Sequence, residues 1–275
     1  MIYCILKGGL GNMMFQIAAT MNMAKIKNTK SCFPNFTKHL EYANKRWHLQ
    51  YRQEKNKFNK LNDSNEYKKF LRINEKTEFF NNKVKIYKYP FEYSSFIPKE
   101  DCFVVDGYFQ SEKYFINARE DILENFKPSE DIKKIILKKY KKFLNKKTVS
   151  MHIRRGDYID LANLYNILDI SYYEKALNIL GEYDVCLVFS DDIQWCKKNL
   201  KFKNCHFIEN EKDYIEIFLM SMCNNNIISN SSFSWWAAWL NVNKNCTIVA
   251  PKKWFEKGYS NLDDSHIIPE KWIKI

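Results

Sequence analysis

Short apolar runs alternate with longer amphipathic segments throughout the second half of the chain. In the segments that separate the runs, apolar side chains recur at the spacing of one helix face. Buried strands that alternate with helices are typical of a parallel sheet with crossover helices. The pattern therefore predicts strands at 148–153, 185–190, 205–208, 226–229 and 246–250, and helices at 171–181, 191–200, 213–223 and 231–241.

The first half opens with the same kind of unit but is less regular. A predicted strand is followed by the glycine-rich turn "GGLGN" and an apolar helix, whereas residues 35–90 show no clean periodicity. Further elements are a strand at 102–106 and two helices, for which Ser111 and Ser129 are the predicted N-caps. We predict two α/β domains, residues 1–146 and residues 147–275.

Composition favours a folded intracellular protein. Apolar residues make up 45% of the 275 residues and aromatic residues 16%, which argues against disorder. The eight cysteines form no C-x-x-C pair and several lie in apolar runs, as expected of reduced thiols. Met1 leads directly into a predicted strand rather than a signal peptide, and no apolar run approaches the ~20 residues that span a bilayer. A cytoplasmic location is the prediction.

The formal net charge of +12 raises the question of an anionic partner. Much of the lysine is spread through Asn- and Tyr-rich sequence and interleaved with acids, so we do not predict nucleic acid as the partner. The charge suits an anionic substrate, or peripheral contact with an anionic membrane.

Polar residues collect where three of the predicted strands end. Ligands of open parallel sheets bind beyond the carboxyl ends of the strands. Arginines bind diphosphates, serine-rich helix starts donate hydrogen bonds to them, and a carboxylate can pair with a base edge. Together these groups predict a pocket for a phosphorylated nucleotide, although the same residues also suit salt bridges and ordinary helix caps. The residues are His152, Arg154, Arg155, Asp157, Ser190, Asp191, Asp192, Asn230, Ser231, Ser232 and Ser234.

Other catalytic patterns are absent from the sequence. The five histidines show no metal-ligand spacing, and no D-x-D triplet is present to hold a divalent ion against a diphosphate. There is no P-loop and no G-x-S-x-G elbow. We therefore expect no cofactor and no metal, with arginines neutralising a departing diphosphate.

Five segments carry a resemblance to a known family. In order they are "GGLGNMMFQ" (8–16), "GYFQSEKYF" (107–115), "HIRRGDY" (152–158), "FSDDIQW" (189–195) and "NSSFSWWAAWLN" (230–241). This set resembles the bacterial alpha-1,2-fucosyltransferases of glycosyltransferase family 11. The resemblance covers the chain apart from residues 35–90. One departure is Met13, where the family commonly has glutamine.

The resemblance implies a GT-B-like fold, with two Rossmann-like domains facing each other across a cleft. It also implies metal-independent, inverting transfer of L-fucose from GDP-beta-L-fucose to the 2-hydroxyl of a terminal galactose, in lipopolysaccharide or capsule synthesis. The alternatives are a GDP-sugar transferase of another linkage, or a non-catalytic basic protein that binds nucleic acid.

Family roles transfer to individual positions. The resemblance implies that Arg154 binds the diphosphate and that Arg155 either forms part of the site wall or binds the same phosphates. Asp157 either orients the arginines or acts as the catalytic base, and Asp191 or Asp192 reads the guanine edge. His152 lines the nucleotide pocket, the serines of 231–234 contact phosphate, and the cleft loop contributes Gly9, Gly11, Asn12 and Gln16.

Overall fold

The computed structural model describes residues 1–41, 64–75, 84–259 and 261–275. It divides into two compact units, Met1–Ser129 and Glu130–Ile275. The predicted α/β class, with two Rossmann-like units built on parallel sheets, is confirmed. The cleft between the units stays a prediction. No helix in the described ranges combines the length and the apolarity needed to cross a bilayer.

The first unit contains a four-stranded parallel sheet of order β2-β1-β4-β3. Its central strand β1 leads through the glycine turn into α1, which is buried on nearly all sides and forms much of the core. Residues 36–41 are also helical. The labelled elements are β1 Ile2–Cys4, α1 Leu10–Ile26, β2 Ser31–Cys32, α2 Ser64–Leu71, β3 Ile86–Lys88, β4 Phe103–Asp106 and α3 Arg119–Asn125.

The helix predicted from Ser111 is only partly correct. Ser111 accepts a hydrogen bond from the Lys113 amide as a cap does, but two short 3-10 turns follow it and precede α3. Phe115, at the junction of the two turns, has φ −148° and ψ 10°, which is not helical. Its ring is fully buried, so tertiary packing has overridden the local helical pattern.

The second unit contains a six-stranded sheet of order β10-β9-β8-β5-β6-β7, in which every pairing is parallel. Strand order reverses beside β5, which pairs with both β6 and β8. The elements are α4 Glu130–Leu144, β5 Thr148–Ile153, α5 Gly156–Asp160, α6 Ile170–Leu180, β6 Val185–Ser190, α7 Ile193–Asn199, β7 Cys205–Phe207, α8 Asp213–Ser221, β8 Asn225–Ile227, α9 Ser232–Trp239, β9 Ile248–Ala250 and β10 Ile273–Lys274.

Helix α4 belongs with the second unit, which moves the domain boundary. We predicted the boundary between 146 and 147, but the division lies between Ser129 and Glu130. The reason is that α4 packs against α8. The Tyr140 hydroxyl also donates a 2.6 Å hydrogen bond to Oε1 of Glu211, just before α8.

Of the four edge strands of the described sheets, β2, β3 and β10 were not predicted, whereas β7 was. Strands β2, β3 and β10 are two or three residues long, too short to show a period of two. Of the region without periodicity, residues 42–63 and 76–83 lie outside the described residues.

Candidate functional site

Arg154 leaves the carboxyl end of β5 between two carboxylates. Its Nη2 donates a 2.5 Å hydrogen bond to Oδ1 of Asp157, and its Nη1 lies 2.9 Å from Oδ2 of Asp191. The second contact is an ion pair whose geometry is not that of a hydrogen bond. Burial lowers the pKa of Arg154, but Asp191 and Asp157 outweigh this, so that its pKa is raised overall. The guanidinium is therefore charged and fixed at the strand end. We call these three side chains the arginine clamp.

Asp191 joins the end of β6 to the loop after β5. Its Oδ1 accepts a 2.9 Å hydrogen bond from the Arg155 amide. A Cβ at residue 156 would lie 2.4 Å from Oδ2 of Asp191, a distance that real Cβ atoms do not adopt. Gly156 is therefore required for the close approach of the carboxylate to this turn.

Arg155 lies against a different set of groups. Its guanidinium carbon is 3.7 Å from the centre of the Trp195 ring, and its Nε is 3.5 Å from Oδ2 of Asp192. Asp192 Oδ1 accepts a hydrogen bond from the Trp195 amide, which caps α7. Arg155 and Trp195 line one side of a cavity of about 380 Å³, whose other walls come from residues 167–171. Trp195 was not predicted as a site residue, although it ends the quoted segment "FSDDIQW".

His152 connects the two strands that flank the reversal of strand order. Its Nδ1 lies 2.8 Å from the Ser229 hydroxyl, beyond the end of β8, and its ring is 5.5 Å from that of Phe233. Burial, together with the charge of Arg154, lowers the pKa of His152 to about 3. The imidazole is therefore neutral at physiological pH, and it can accept or donate a hydrogen bond without adding charge to the site.

His152 should make stability depend on pH. In the unfolded chain, histidine binds a proton below about pH 6.5, whereas folded His152 stays neutral down to about pH 3. As the pH falls below 6.5, protonation therefore stabilises only the unfolded state, and the free energy of unfolding decreases. We expect His152→Asn to flatten the fall in unfolding free energy between pH 7 and pH 5, by at most about 1.4 kcal/mol per pH unit. Urea unfolding at each pH measures this. His206, whose pKa is also lowered by burial, provides the comparison variant His206→Asn. An unchanged slope in His152→Asn would contradict the buried neutral state.

The serine-rich start of α9 is less available than predicted. Ser234 is fully buried, and its hydroxyl contacts the carbonyl oxygens of Ser229 and Ser231. Ser231 caps α9 through the Phe233 amide, and Ser190 likewise accepts from the Asp192 amide. Ser232, in the first turn of α9, is only partly buried. The structure thus leaves Ser232 partly exposed and places Ser234 inside the core.

Tyr158 contacts Arg154 of the arginine clamp and is bonded in turn to Asn230. Of the two, only Asn230 was predicted as a site residue. The Tyr158 ring lies 5.1 Å from the Arg154 guanidinium carbon and stacks on Tyr165 at 4.2 Å. Its hydroxyl donates a 3.0 Å hydrogen bond to the Asn230 carbonyl. The Asn230 side-chain amide donates to the carbonyl oxygens of Asn166 and Trp254. Asn230, predicted to bind the donor, therefore holds two loops together around Tyr158.

The tryptophans of α9 belong to the core. Trp235, Trp236 and Trp239 are almost completely buried and pack edge-on or stacked on one another, and Trp235 also contacts Trp272. Their spacing along the sequence follows helix faces and predicts core residues, and the structure confirms this prediction.

The glycine turn of the first unit is stabilised by Gln16. Its Nε2 donates to the carbonyl oxygens of Lys7 and Asn12, and its Oε1 accepts from the Lys7 amide. The positive φ of the turn, +80°, is at Gly8, whereas Gly9 is extended and Gly11 lies buried within α1. Asn12 accepts a 2.7 Å hydrogen bond from Gln110. Of the predicted loop residues, Gln16 shapes the turn, and Gly9 and Asn12 lie at its surface end.

Metal ligands do not cluster in the described ranges. No group of three or more His, Cys, Asp or Glu side chains there is arranged to hold a metal ion. The expectation of metal-independent chemistry stays a prediction.

Comparison with known proteins gives matches over the full chain. The family model of glycosyl transferase family 11 matches residues 1–275. The O-antigen biosynthesis glycosyltransferase WbnK of Escherichia coli is 32% identical, with 100% of both chains covered. The alpha-1,2-colitosyltransferase of Escherichia coli is 30% identical, over 98% of this chain and 97% of its own.

More distant matches cover part of the chain or only its fold. Galactoside alpha-(1,2)-fucosyltransferase 2 of Rattus norvegicus is 30% identical over 34% of this chain and 29% of its own. The crystal structure of the fucosyltransferase NodZ from Bradyrhizobium is 13% identical, with a TM-score of 0.46 over 86% of this chain and 91% of that one.

Proposed function

Since the chain belongs to glycosyltransferase family 11, we propose that it transfers L-fucose from GDP-beta-L-fucose to the 2-hydroxyl of a terminal galactose, in the synthesis of an O-antigen or a related surface glycan. The observation that carries the proposal is the arginine clamp, because it fixes a charged guanidinium at the reversal of strand order, where α/β sheets bind nucleotides. The relatives named for O-antigen synthesis and for alpha-1,2 transfer support the linkage and the setting.

The reaction is a single displacement with inversion. The galactose oxygen forms a bond to the anomeric carbon as the bond from that carbon to the diphosphate oxygen breaks, and the electron pair leaves with GDP. The hydroxyl proton passes to a base. Negative charge grows on the departing diphosphate, so a fixed cation beside it stabilises the transition state more than the ground state. Arg154 has this role in our proposal, and Arg155 supplies a second positive charge.

The geometry separates the roles of the three aspartates. Asp157 and Asp191 hold Arg154, and Asp191 is the more deeply buried, with 8% of its side chain exposed. Asp192 is 32% exposed and pairs with Arg155, which lines the cavity. We therefore assign Asp157 and Asp191 as positioning residues for Arg154, and Asp192 as the carboxylate that reads the guanine edge. In this assignment the cavity beside Trp195 receives the base.

The proposed function is tested by ligand binding and by transfer without metal. GDP should raise the melting temperature, and short DNA or RNA oligonucleotides should not, because binding to the folded state alone stabilises it. GDP release with GDP-fucose and a galactose-terminated acceptor should continue at an undiminished rate in excess EDTA. A melting temperature raised by oligonucleotides but not by GDP would favour the nucleic-acid-binding alternative. Loss of turnover in EDTA, restored by magnesium or manganese, would overturn the metal-free mechanism.

Colitose is a second candidate sugar, because the colitosyltransferase relative aligns with nearly the whole chain. Colitose lacks the 3-hydroxyl of L-fucose. A site that hydrogen-bonds that hydroxyl discriminates against the deoxy sugar by about 10⁴–10⁵, whereas a site without such a contact discriminates little. The ratio of kcat/KM for the two GDP-sugars therefore identifies the donor. A strong preference for GDP-colitose would replace fucose in the proposal and leave the arginine clamp unchanged.

A further inference from the structure

We propose that α4 is a docking surface for an anionic lipid bilayer. The surface consists of Lys134, Lys138, Lys141 and Lys142, with Ile135 and Leu137 beside them, and we call it the basic face. It lies outside the donor site, and its test measures lipid binding alone, so it stands or falls independently of the proposed function.

The basic face is fixed to the second unit by its opposite side. Ile132, Ile136 and Tyr140 point inward and are buried, and the hydrogen bond from Tyr140 to Glu211 joins α4 to the segment before α8. Lys134, Lys138 and Lys141 follow at intervals of four and three residues, the spacing of one helix face, and all three are exposed. The lysines therefore share an orientation that the buried side determines.

Positive charge is concentrated on this segment. Residues 130–147 contain eight lysines and two acids, which leaves +6, half of the net charge of +12. The pattern of the sequence already predicts a lysine-rich outer face for this helix, in contrast to the dispersed lysines elsewhere. Lys133 pairs with Glu130, and Lys139 with Glu211. Within the described part of the chain, Lys134, Lys138 and Lys141 form no ion pair, so their charge is directed at solvent.

Exposed apolar side chains favour a bilayer over a nucleic acid. Ile135 is 40% exposed and Leu137 is 44% exposed, on either side of the lysine row. An interfacial helix places such side chains at the boundary between headgroups and acyl chains while its lysines meet anionic headgroups. A phosphate backbone offers no comparable apolar layer. The combination therefore matches an anionic membrane surface.

The experiment compares two charge-matched variants. Lys134→Gln/Lys138→Gln/Lys141→Gln removes the centre of the basic face. The control removes the same charge from exposed lysines near β9 and β10, with the substitutions Lys244→Gln/Lys252→Gln/Lys271→Gln. Strand β10 is at one edge of the sheet and β7 is at the other. Both are measured by flotation with vesicles of phosphatidylcholine alone, and with vesicles of equal parts phosphatidylcholine and phosphatidylglycerol. Melting temperatures check that each variant is folded.

We expect the wild type to bind the anionic vesicles only, and less at high salt. Loss of the three lysines should weaken binding about 100-fold, since each lysine near an anionic surface contributes a factor of about 5. The control should change it by a much smaller factor. Ile135→Ser/Leu137→Ser should also weaken binding but preserve its salt dependence. Equal losses in the two lysine variants, binding to neutral vesicles, no vesicle binding, or tighter binding to duplex DNA than to anionic vesicles would each overturn the proposal.

Discussion

Arg154→Lys is expected to reduce the transfer rate by about 10²–10³-fold, the usual cost of removing a fixed group that stabilises transition-state charge. The guanidinium contacts Asp157 with one terminal nitrogen and Asp191 with the other. Because each terminal nitrogen carries two N–H groups, the fork can hold both carboxylates and still donate to a phosphate oxygen. A lysine ammonium is a single point on a flexible stem and cannot hold this arrangement.

Stability separates the loss of chemistry from the loss of the fold. Arg154→Ala leaves a buried aspartate without its cation and should destabilise the protein by about 3–5 kcal/mol, whereas lysine keeps the charge. GDP release and thermal unfolding, measured on both variants, give the comparison.

Asp157→Asn should weaken GDP binding and lower the melting temperature if Asp157 positions Arg154. Wild-type GDP affinity with a collapsed rate in Asp157→Asn would instead make Asp157 the base. Near-normal turnover in Arg154→Lys would contradict the diphosphate role.

The sequence was sufficient to predict the bounds of the most regular strands, but not the contacts that their side chains make. Strands β5 and β6 match their predicted bounds: every residue of β5 is buried although polar and apolar side chains alternate along it, and β6 is a buried apolar run that ends at Ser190. The sequence also places His152 and Asp191 at strand ends. It does not show that Asp191 pairs with Arg154 and Asp192 with Arg155. Two adjacent aspartates look the same in the sequence, and only the tertiary fold distinguishes their partners.

The sequence also does not show the role of a residue or helix when that role depends on tertiary contacts. Ser234 and Ser232 have the same side chain in one helix, but only the packing of α9 shows which one is buried. Tyr158 lies in the quoted segment "HIRRGDY", yet its role depends on stacking with Tyr165 in the following loop and on Asn230, which is 72 residues away in the chain. Helix α4 was predicted correctly, but its assignment to the second unit required its contact with α8.

Gly156→Ala is expected to disable the arginine clamp without changing any charged residue. The added methyl group would lie 2.4 Å from Oδ2 of Asp191, so either the turn or the carboxylate must move. Displacement of Asp191 removes one of the two carboxylates that hold Arg154. We expect GDP affinity to fall by about 10-fold or more, and the melting temperature to fall, because a strained contact and a weakened buried pair combine. Calorimetric titration with GDP and thermal unfolding measure the two effects.

A double-mutant cycle identifies the cause. If the methyl group acts by displacing Asp191, Gly156→Ala should cost little more in a background that already carries Asp191→Ala, because the clashing carboxylate is gone. The two single losses would then be strongly non-additive. Gly9→Ala provides the control for backbone substitution, since a Cβ at residue 9 meets no atom within 4 Å and should leave the melting temperature nearly unchanged. Additive losses in the cycle would show that the turn itself, and not Asp191, is disturbed.

The strand order of the second sheet favours one order in which the proposed donor site assembles during folding. From β5 the chain first adds β6 and β7 on one side, and only later adds β8, β9 and β10 on the other. Val149 pairs with Cys186 and also with Asn225, about twice as far along the chain, so closing the second loop costs about 0.6 kcal/mol more in chain entropy. The arginine clamp needs only β5, β6 and the turn between Ile153 and Asp157. The cationic half of the site can therefore form early, and the bonds from His152 to Ser229 and from Tyr158 to Asn230 close it when β8 docks.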